Sequence, residues 1–156
     1  MFKRVFVSSL LALTMSPMSQ AEEVPMCAND AALEFGVPPR IFQAMVTSEG
    51  WYLVKDEVRQ RAVAGGHYGP MGLADHAIQE ISQNIGTPEQ ALKEDACENF
   101  RGSAWWLMNP AGGAQEDDIW TALRTYYYGH SERAIRGYPA VESVRRIYEE
   151  LPATVQ

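Results

Sequence analysis

Glycine and proline residues divide this chain into short segments, and their spacing constrains the fold more than any other feature of the sequence. Gly36 marks the end of one segment with helical spacing of apolar residues, and Pro38-Pro39 marks the start of the next. Glycine is typical of helix ends and proline of the first helical turn. Alternating strand patterns are weak throughout. The sequence therefore predicts one mainly α-helical domain. Helices are expected over about residues 28–35, 40–50, 73–84, 88–95, 98–108, 118–128 and 139–151, and a loop with at most a small β-hairpin over 51–69.

Two of these helices have recognisable start signals. Residues 87–90, Thr-Pro-Glu-Gln, fit a capping box with Thr87 as the N-cap. Asp117 or Asp118 is predicted to cap the helix that ends at Gly129, because a short acidic side chain accepts hydrogen bonds from the first helical amides.

The N-terminus has the pattern of a secretory signal peptide. Lys3 and Arg4 precede an apolar run of about 11 residues, and Ser19-Gln20-Ala21 places small residues where a signal peptidase cuts. The run is well short of the ~20 residues that a membrane-spanning helix needs. The alternative is a buried N-terminal helix, which the acidic residues and proline that follow disfavour. We expect residues 1–21 to be the signal peptide and residues 22–156 to be one exported, periplasmic domain, with no later segment long enough to span a membrane.

The charge of the expected mature chain excludes several classes of partner. Without Lys3 and Arg4 the net charge changes from −7 to −9 over 135 residues. A domain this acidic has no basic stripe to neutralise nucleic-acid phosphates, and it is equally unsuited to an anionic membrane surface. A ligand bound by stacking and hydrogen bonds, such as a glycan, is compatible with this charge.

The mature chain contains two cysteines, Cys27 and Cys97. Because an exported chain meets an oxidising compartment, a disulfide between them is the natural interpretation. It would close a loop of about 70 residues and contribute roughly 3–5 kcal/mol by the chain-entropy model. The alternative is two unrelated buried thiols. A metal site is not expected, because His67, His76 and His130 share no ligand spacing with the cysteines, and the sequence carries no cofactor signature.

Glu49 is the candidate catalytic residue. It follows Met45 by four residues and Ile41 by eight, so it shares the apolar face of its predicted helix. Partial burial raises the pKa of a carboxyl, and a carboxyl that stays protonated near neutral pH can act as a general acid. Trp51 follows closely and offers an aromatic face on which a sugar can stack. The alternative is a last-turn glutamate that bends out into water.

Other aromatic residues are expected to contribute mainly to packing. Trp105 and Trp106 lie in an apolar helix, where one is predicted in the core and the other at an interface. Tyr126, Tyr127 and Tyr128 are expected to be divided between the core and a cleft.

Five segments, in this order, resemble the motifs of one enzyme family. They are Ala44–Gly50, Tyr68–Leu73, Asp95–Phe100 with Ala104–Leu107, Trp120–Ala122 leading to Tyr126–Gly129, and Tyr138 with Val141. Their order and spacing resemble the lytic transglycosylases related to soluble lytic transglycosylase, over about residues 27–148. The paired cysteines resemble the compact branch of that family, which accompanies type III and type IV secretion, conjugation and pilus systems.

The resemblance implies a lysozyme-like fold with a substrate cleft and cleavage of peptidoglycan. It makes Glu49 the residue that protonates the glycosidic oxygen between N-acetylmuramic acid and N-acetylglucosamine, and then the base that allows a 1,6-anhydro ring to form. No cofactor is implied. The partners would be peptidoglycan strands and a subunit of a secretion, conjugation or pilus apparatus. The candidate substrate-binding residues are Trp51, Tyr68, Met71, Tyr126, Tyr127 and Tyr138.

Three positions depart from the family pattern. Gly50 replaces a serine, Gly72 replaces a glutamine and Tyr127 replaces an asparagine or histidine. Since the last two usually contact substrate, a catalytically weak or inactive module that binds glycan or apparatus is an alternative, and a lysozyme that hydrolyses with water is another. Asp56 and Glu57 are expected to be solvated loop charges, with a role in assisting the chemistry as the alternative.

Overall fold

We describe a computed structural model of the chain over residues 24–50, 55–109, 118–129 and 138–153. The predicted signal peptide, Trp51, Asp117 and His130 lie outside these ranges. The described residues form eight helices and one two-stranded antiparallel sheet, which confirms the mainly helical class. The elements are α1 (Met26–Phe35), α2 (Pro39–Glu49), α3 (Asp56–Ala64), β1 (His67–Tyr68), β2 (Leu73–Ala74), α4 (Asp75–Ile85), α5 (Glu89–Glu94), α6 (Ala96–Met108), α7 (Ile119–Tyr128) and α8 (Pro139–Glu150).

Helix α3 corrects the prediction of a loop before the hairpin. None of its residues is buried, so it has no apolar stripe from which the sequence could predict a helix. Its ends nevertheless suit a helix, because Asp56 and Glu57 lie in the first turn and Arg61 in the last, where each charge complements the helix dipole. Asp56 and Glu57 are therefore exposed helix charges rather than loop charges.

The predicted capping box is wrong. Helix α5 begins at Glu89 after Pro88, and no side chain caps it. The Thr87 hydroxyl instead donates to Glu98 Oε2 at 3.1 Å and accepts from Arg101 Nη1 at 2.9 Å. Two charged groups of α6 thus compete successfully with the backbone amides of α5 for this hydroxyl.

Acidic side chains do cap the next two helices. Asp118 accepts from the Trp120 amide at 3.1 Å at the start of α7, as predicted. Asp95 accepts from the amides of Cys97 and Glu98 at the start of α6, a cap that the sequence analysis did not identify. Both satisfy amides that the first helical turn leaves without an intrahelical partner.

Helix α6 is the central element, and α1, α4, α5 and α7 all pack against it. Gly102 permits the close approach, since a Cβ there would lie 2.7 Å from Leu92 Cδ2 and 3.2 Å from Ile81 Cγ2. The core has two parts. The main cluster consists of buried residues of α1, α2, α6, α7 and α8 with Val37 and Met71, and the smaller cluster consists of Leu73, Ala77, Ile78, Ile81, Leu92 and Trp106.

A disulfide joins Cys27 to Cys97, with the two Cα atoms 5.6 Å apart, which confirms the predicted pairing. It fastens the start of α1 to the start of α6. In the part of the chain that the structure describes, no helix combines the length and the apolar character needed to cross a bilayer.

Candidate active site

Residues of both clusters line a cleft of about 450 Å³. One wall contains the C-terminal end of α2 and the C-terminal half of α7. The other wall contains the β1–β2 hairpin, the start of α4 and one residue of α6. The lining residues are Glu49, His67, Met71, Gly72, Leu73, Ala74, His76, Ala77, Trp106, Thr125, Tyr126, Tyr127 and Gly129.

Glu49 is the last residue of α2 and is only partly exposed. The preceding residue, Ser48, donates to the Ser143 hydroxyl at 3.0 Å, which fastens this end of α2 to α8. Burial raises the pKa of Glu49 above its ordinary value, and the nearby Tyr127 hydroxyl opposes that rise. The cleft therefore contains a carboxyl that gives up its proton less readily than an ordinary glutamate does.

Tyr127 lies beside Glu49 in the cleft wall. Its hydroxyl is buried, and it makes no hydrogen bond of normal geometry with any residue that the structure describes. Burial raises the pKa of Tyr127, and the charge of Glu49 raises it further. The ring is held edge-on against Tyr126, with the centroids 5.2 Å apart. The polar end of Tyr127 is thus desolvated and fixed next to the candidate acid.

Tyr126 connects the two walls. Its hydroxyl donates to the main-chain oxygen of Met71 at 3.3 Å, so α7 is joined to the hairpin turn. Burial raises the pKa of Tyr126, and the neighbouring Ser103 hydroxyl opposes this effect. Met71 lines the cleft but is only 3% exposed. Its contribution to the site is therefore mainly through its backbone.

Asn99, on α6, holds the hairpin in place. Its Oδ1 accepts from the Met71 amide at 2.9 Å, and its Nδ2 donates to the main-chain oxygens of Tyr68 at 3.1 Å and Leu92 at 2.8 Å. The side chain is fully buried, so these three bonds satisfy it away from water. Asn99 belongs to the Asp95–Phe100 motif, but the sequence alone predicts no role for it, because its partners are distant in the chain.

Gly69 explains how Asn99 can come so close. Gly69 has a φ of +68°, and a Cβ on it would lie 2.2 Å from Asn99 Nδ2. Both the backbone conformation and the contact therefore require glycine. Gly72, at the other end of the turn, has a φ of +62° but nothing within 4 Å of its would-be Cβ. Its main-chain oxygen accepts from His67 Nδ1 at 3.1 Å.

Trp106 and His76 are cleft residues that the sequence analysis missed. Their rings meet edge to face with centroids 5.9 Å apart. Trp106 is only 7% exposed. Its ring therefore lies at the base of the cleft and offers little open surface for stacking. Its position in an apolar helix predicted only core or interface, and His76 carried no signal beyond its residue type.

Two of the predicted substrate-binding tyrosines do not line the cleft. Tyr68 packs on the smaller cluster, its hydroxyl donates to Asp75 Oδ2 at 3.4 Å, and Lys93 Nζ lies 4.4 Å from its ring centroid. Tyr138 precedes α8 and packs against Tyr128. Asp56 and Glu57 are also absent from the described lining, and Trp51 lies outside the described residues.

Glu49 is the one carboxylate among the described residues that line the cleft. Among the described residues, no group of three or more histidine, cysteine, aspartate or glutamate side chains is arranged to hold a metal ion. No protein-family model, curated protein or solved structure matches this chain. The chemistry of the cleft is therefore inferred from its own residues: one desolvated carboxyl, tyrosine hydroxyls and apolar walls.

Proposed function

We propose that this protein is an exported peptidoglycan lytic transglycosylase with a lysozyme-like fold, in which Glu49 is the catalytic acid and base. Glu49 carries the proposal, because it is a partly buried carboxyl with a raised pKa inside a cleft. Such groups are typical of catalytic sites, since burial tunes a carboxyl for proton transfer near neutral pH. The helical domain with one small hairpin beside the cleft is consistent with the fold that the motifs imply.

The proposed reaction has two proton transfers at one residue. Protonated Glu49 donates to the glycosidic oxygen between N-acetylmuramic acid and N-acetylglucosamine as the bond to C1 of the muramic acid breaks. The resulting carboxylate then accepts the proton of the 6-hydroxyl of the same muramic acid, whose oxygen bonds to C1. This step closes the 1,6-anhydro ring, restores the acid and consumes no water.

A single carboxylate suits this chemistry. Most glycosidases use two carboxyl groups, one as acid and one as nucleophile or base for water. In the lytic reaction the substrate's own hydroxyl is the nucleophile, so one residue is sufficient. The described cleft lining, with Glu49 as its one carboxylate, favours the lytic reaction over a lysozyme-type hydrolysis.

The expected cellular role is local opening of the cell wall for a secretion, conjugation or pilus apparatus. The disulfide between Cys27 and Cys97 supports export, because such bonds persist in oxidising compartments. The identity of the apparatus follows only from the motif resemblance.

Replacement of Glu49 tests the function directly. Glu49→Gln keeps the size and polarity of the side chain but removes the acid, so release of anhydro-muropeptides from purified sacculi should fall by ~10²–10⁴-fold. Mass spectrometry of the soluble products measures this. Glu57→Gln, on the exposed surface of α3, is the matched control and should retain activity. An active Glu49→Gln variant would show that the acid lies elsewhere, and reducing-end products would identify a hydrolase instead.

A binding module without catalysis is the second candidate, and Gly72 favours it. This position lines the cleft but has no side chain to contact a sugar. In that case wild-type protein should sediment with sacculi and release no product. Gly72→Asn is the informative variant, because asparagine tolerates a positive φ better than glutamine and restores an amide to the wall. Product release that appears only in this variant would support the binding-module function.

A further inference from the structure

The buried hydroxyl of Tyr127 is the most unusual polar group in the cleft. A hydroxyl removed from water without a partner costs free energy, and such groups in native structures call for an explanation. Its neighbours on α7 are satisfied: the Tyr126 hydroxyl donates to Met71 O and the Tyr128 hydroxyl accepts from the Ala140 amide. Of these three, only the Tyr127 hydroxyl has no hydrogen-bond partner of normal geometry among the described residues, and Tyr127 shares the cleft lining with Glu49.

We propose that Tyr127 is a positioning residue for Glu49, whose hydroxyl donates a hydrogen bond to the Glu49 carboxylate after the acid has given up its proton. The fixed ring of Tyr127, edge-on against Tyr126, keeps the donor in place. Catalytic hydrogen bonds are often long or misaligned in a free enzyme and shorten when charge develops. In the free protein the Tyr127 hydroxyl is therefore a donor without an acceptor, and the ionised Glu49 carboxylate becomes its acceptor during the reaction.

Few charged groups compete for this contact among the described residues. Tyr126 and Tyr127 of α7 line the cleft with Glu49, Tyr128 lies near Tyr127 but outside the described lining, and His67 and His76 face the same cleft from the hairpin and α4. From α8, Ser143 reaches the end of α2 with a neutral hydroxyl. In this part of the chain no arginine or lysine side chain lines the cleft to stabilise the carboxylate.

This inference rests on the proposed role of Glu49 and assigns a second residue to its proton cycle. A hydrogen bond donated to the charged form lowers a carboxyl pKa, whereas burial raises it. Burial thus shifts Glu49 towards the protonated form that the first transfer needs, and Tyr127 stabilises the carboxylate that must accept the second proton.

The test compares the titration of Glu49 in wild type, Tyr127→Phe and Tyr128→Phe. Chains labelled with ¹³C at the glutamate carboxyl are titrated by NMR, and the signal that disappears in Glu49→Gln identifies Glu49. Tyr127→Phe should raise the titration midpoint by about 1 pH unit, because the donor to the carboxylate is lost. Tyr128→Phe removes a hydroxyl that already has a partner and should leave the midpoint unchanged. Thermal unfolding establishes that both variants fold.

An unchanged or lowered midpoint in Tyr127→Phe overturns the proposal, even if Glu49→Gln abolishes activity. An equal rise in both variants also overturns it, since the effect would then be general to α7. In an active enzyme, Tyr127→Phe should lower kcat while KM changes little, and the pH above which activity falls should rise with the Glu49 midpoint. If wild type proves inactive, the titration still decides whether Tyr127 supports the carboxylate, independently of the proposed function.

Discussion

The two walls of the cleft differ in how their polar groups are satisfied. The hairpin wall, residues 67–74, is fastened by two hydrogen bonds with the fully buried Asn99, of 2.9 Å to the Met71 amide and 3.1 Å to the Tyr68 main-chain oxygen, and a third bond of 2.8 Å ties Asn99 to Leu92 in α5. The acid wall, formed by Glu49 and Tyr127, contains a carboxyl whose pKa is raised by burial and a hydroxyl that has no hydrogen-bond partner among the described residues. One wall is optimised for rigidity, whereas the other retains polar groups that burial destabilises.

In the proposed mechanism, this difference separates the groups that transfer protons from the groups that hold the fold together. Groups that catalyse proton transfer must be desolvated and incompletely paired, and a folded protein tolerates them only if the rest of the structure is stable enough. A change in the hairpin wall should therefore destabilise the fold, and removal of a charge from the acid wall should stabilise it. Three substitutions test this contrast, in order of decreasing effect.

Gly69→Ala should have the largest effect, a loss of about 3–4 kcal/mol in the free energy of unfolding. The new Cβ would overlap Asn99, so its bonds must break, and a positive φ adds about 1–2 kcal/mol for a non-glycine residue. Urea unfolding measures the change. Gly72→Ala is the matched control in the same turn, because its φ is similar but its Cβ would meet nothing. Equal losses at the two positions would show that the contact with Asn99 contributes little.

Asn99→Ala should destabilise the fold by about 2–3 kcal/mol, because the Met71 amide and the main-chain oxygens of Tyr68 and Leu92 each lose a buried hydrogen bond. Asn84→Ala is the control, since the side chain of Asn84 bonds only to its own helix on an exposed face. In the Asn99→Ala background, Gly69→Ala should cost only its backbone strain, so the double mutant should be less destabilised than the sum. Additive losses would contradict the coupling.

Glu49→Gln should have the smallest effect on stability and the opposite sign, a gain on the order of 1 kcal/mol at pH 7. Because the fold raises the pKa of Glu49, it disfavours ionisation, and wild type loses stability as the pH rises from the ordinary glutamate pKa through the raised one. The advantage of the variant should therefore vanish at pH 3, where both side chains are neutral. Thermal unfolding at several pH values measures this.

Glu149→Gln, on the exposed face of α8, is the matched control for charge removal. It should show little change in stability across the same pH range. A Glu49→Gln variant that is less stable than wild type at pH 7 would show that hydrogen bonds to the ionised carboxylate, including the one proposed from Tyr127, outweigh the cost of burying its charge, and the contrast between the two walls would then fail.

The features that the sequence predicts well depend on local patterns. Glycine and proline mark most helix ends because their backbone preferences act within a few residues. The pairing of Cys27 with Cys97 is predicted from two observations alone: the expected mature chain has two cysteines, and an exported chain meets an oxidising compartment. Glu49 lines the cleft because its spacing from Met45 and Ile41 already places it on the apolar face of α2.

The features that it misses depend on contacts between distant segments. Nothing local indicates that Thr87 would bond to Arg101 rather than cap its own helix, or that Asn99 would reach the turn after Tyr68. Trp106 becomes a cleft residue only because α4 brings His76 against it. Helix α3 is not predicted for a different reason. None of its residues is buried, so its sequence has no apolar stripe that would indicate a helix.

The disulfide also determines what happens to this molecule if its backbone is cut. A single proteolytic cut between residues 28 and 96 leaves two fragments that remain covalently joined through Cys27 and Cys97. Glu49, the hairpin and α3 all lie within this closed loop, whereas Tyr126 and Tyr127 lie beyond it. Glu49 and the hairpin wall thus stay together after one cut inside the loop, whereas a cut between α6 and α7 leaves the two tyrosines held by noncovalent packing alone.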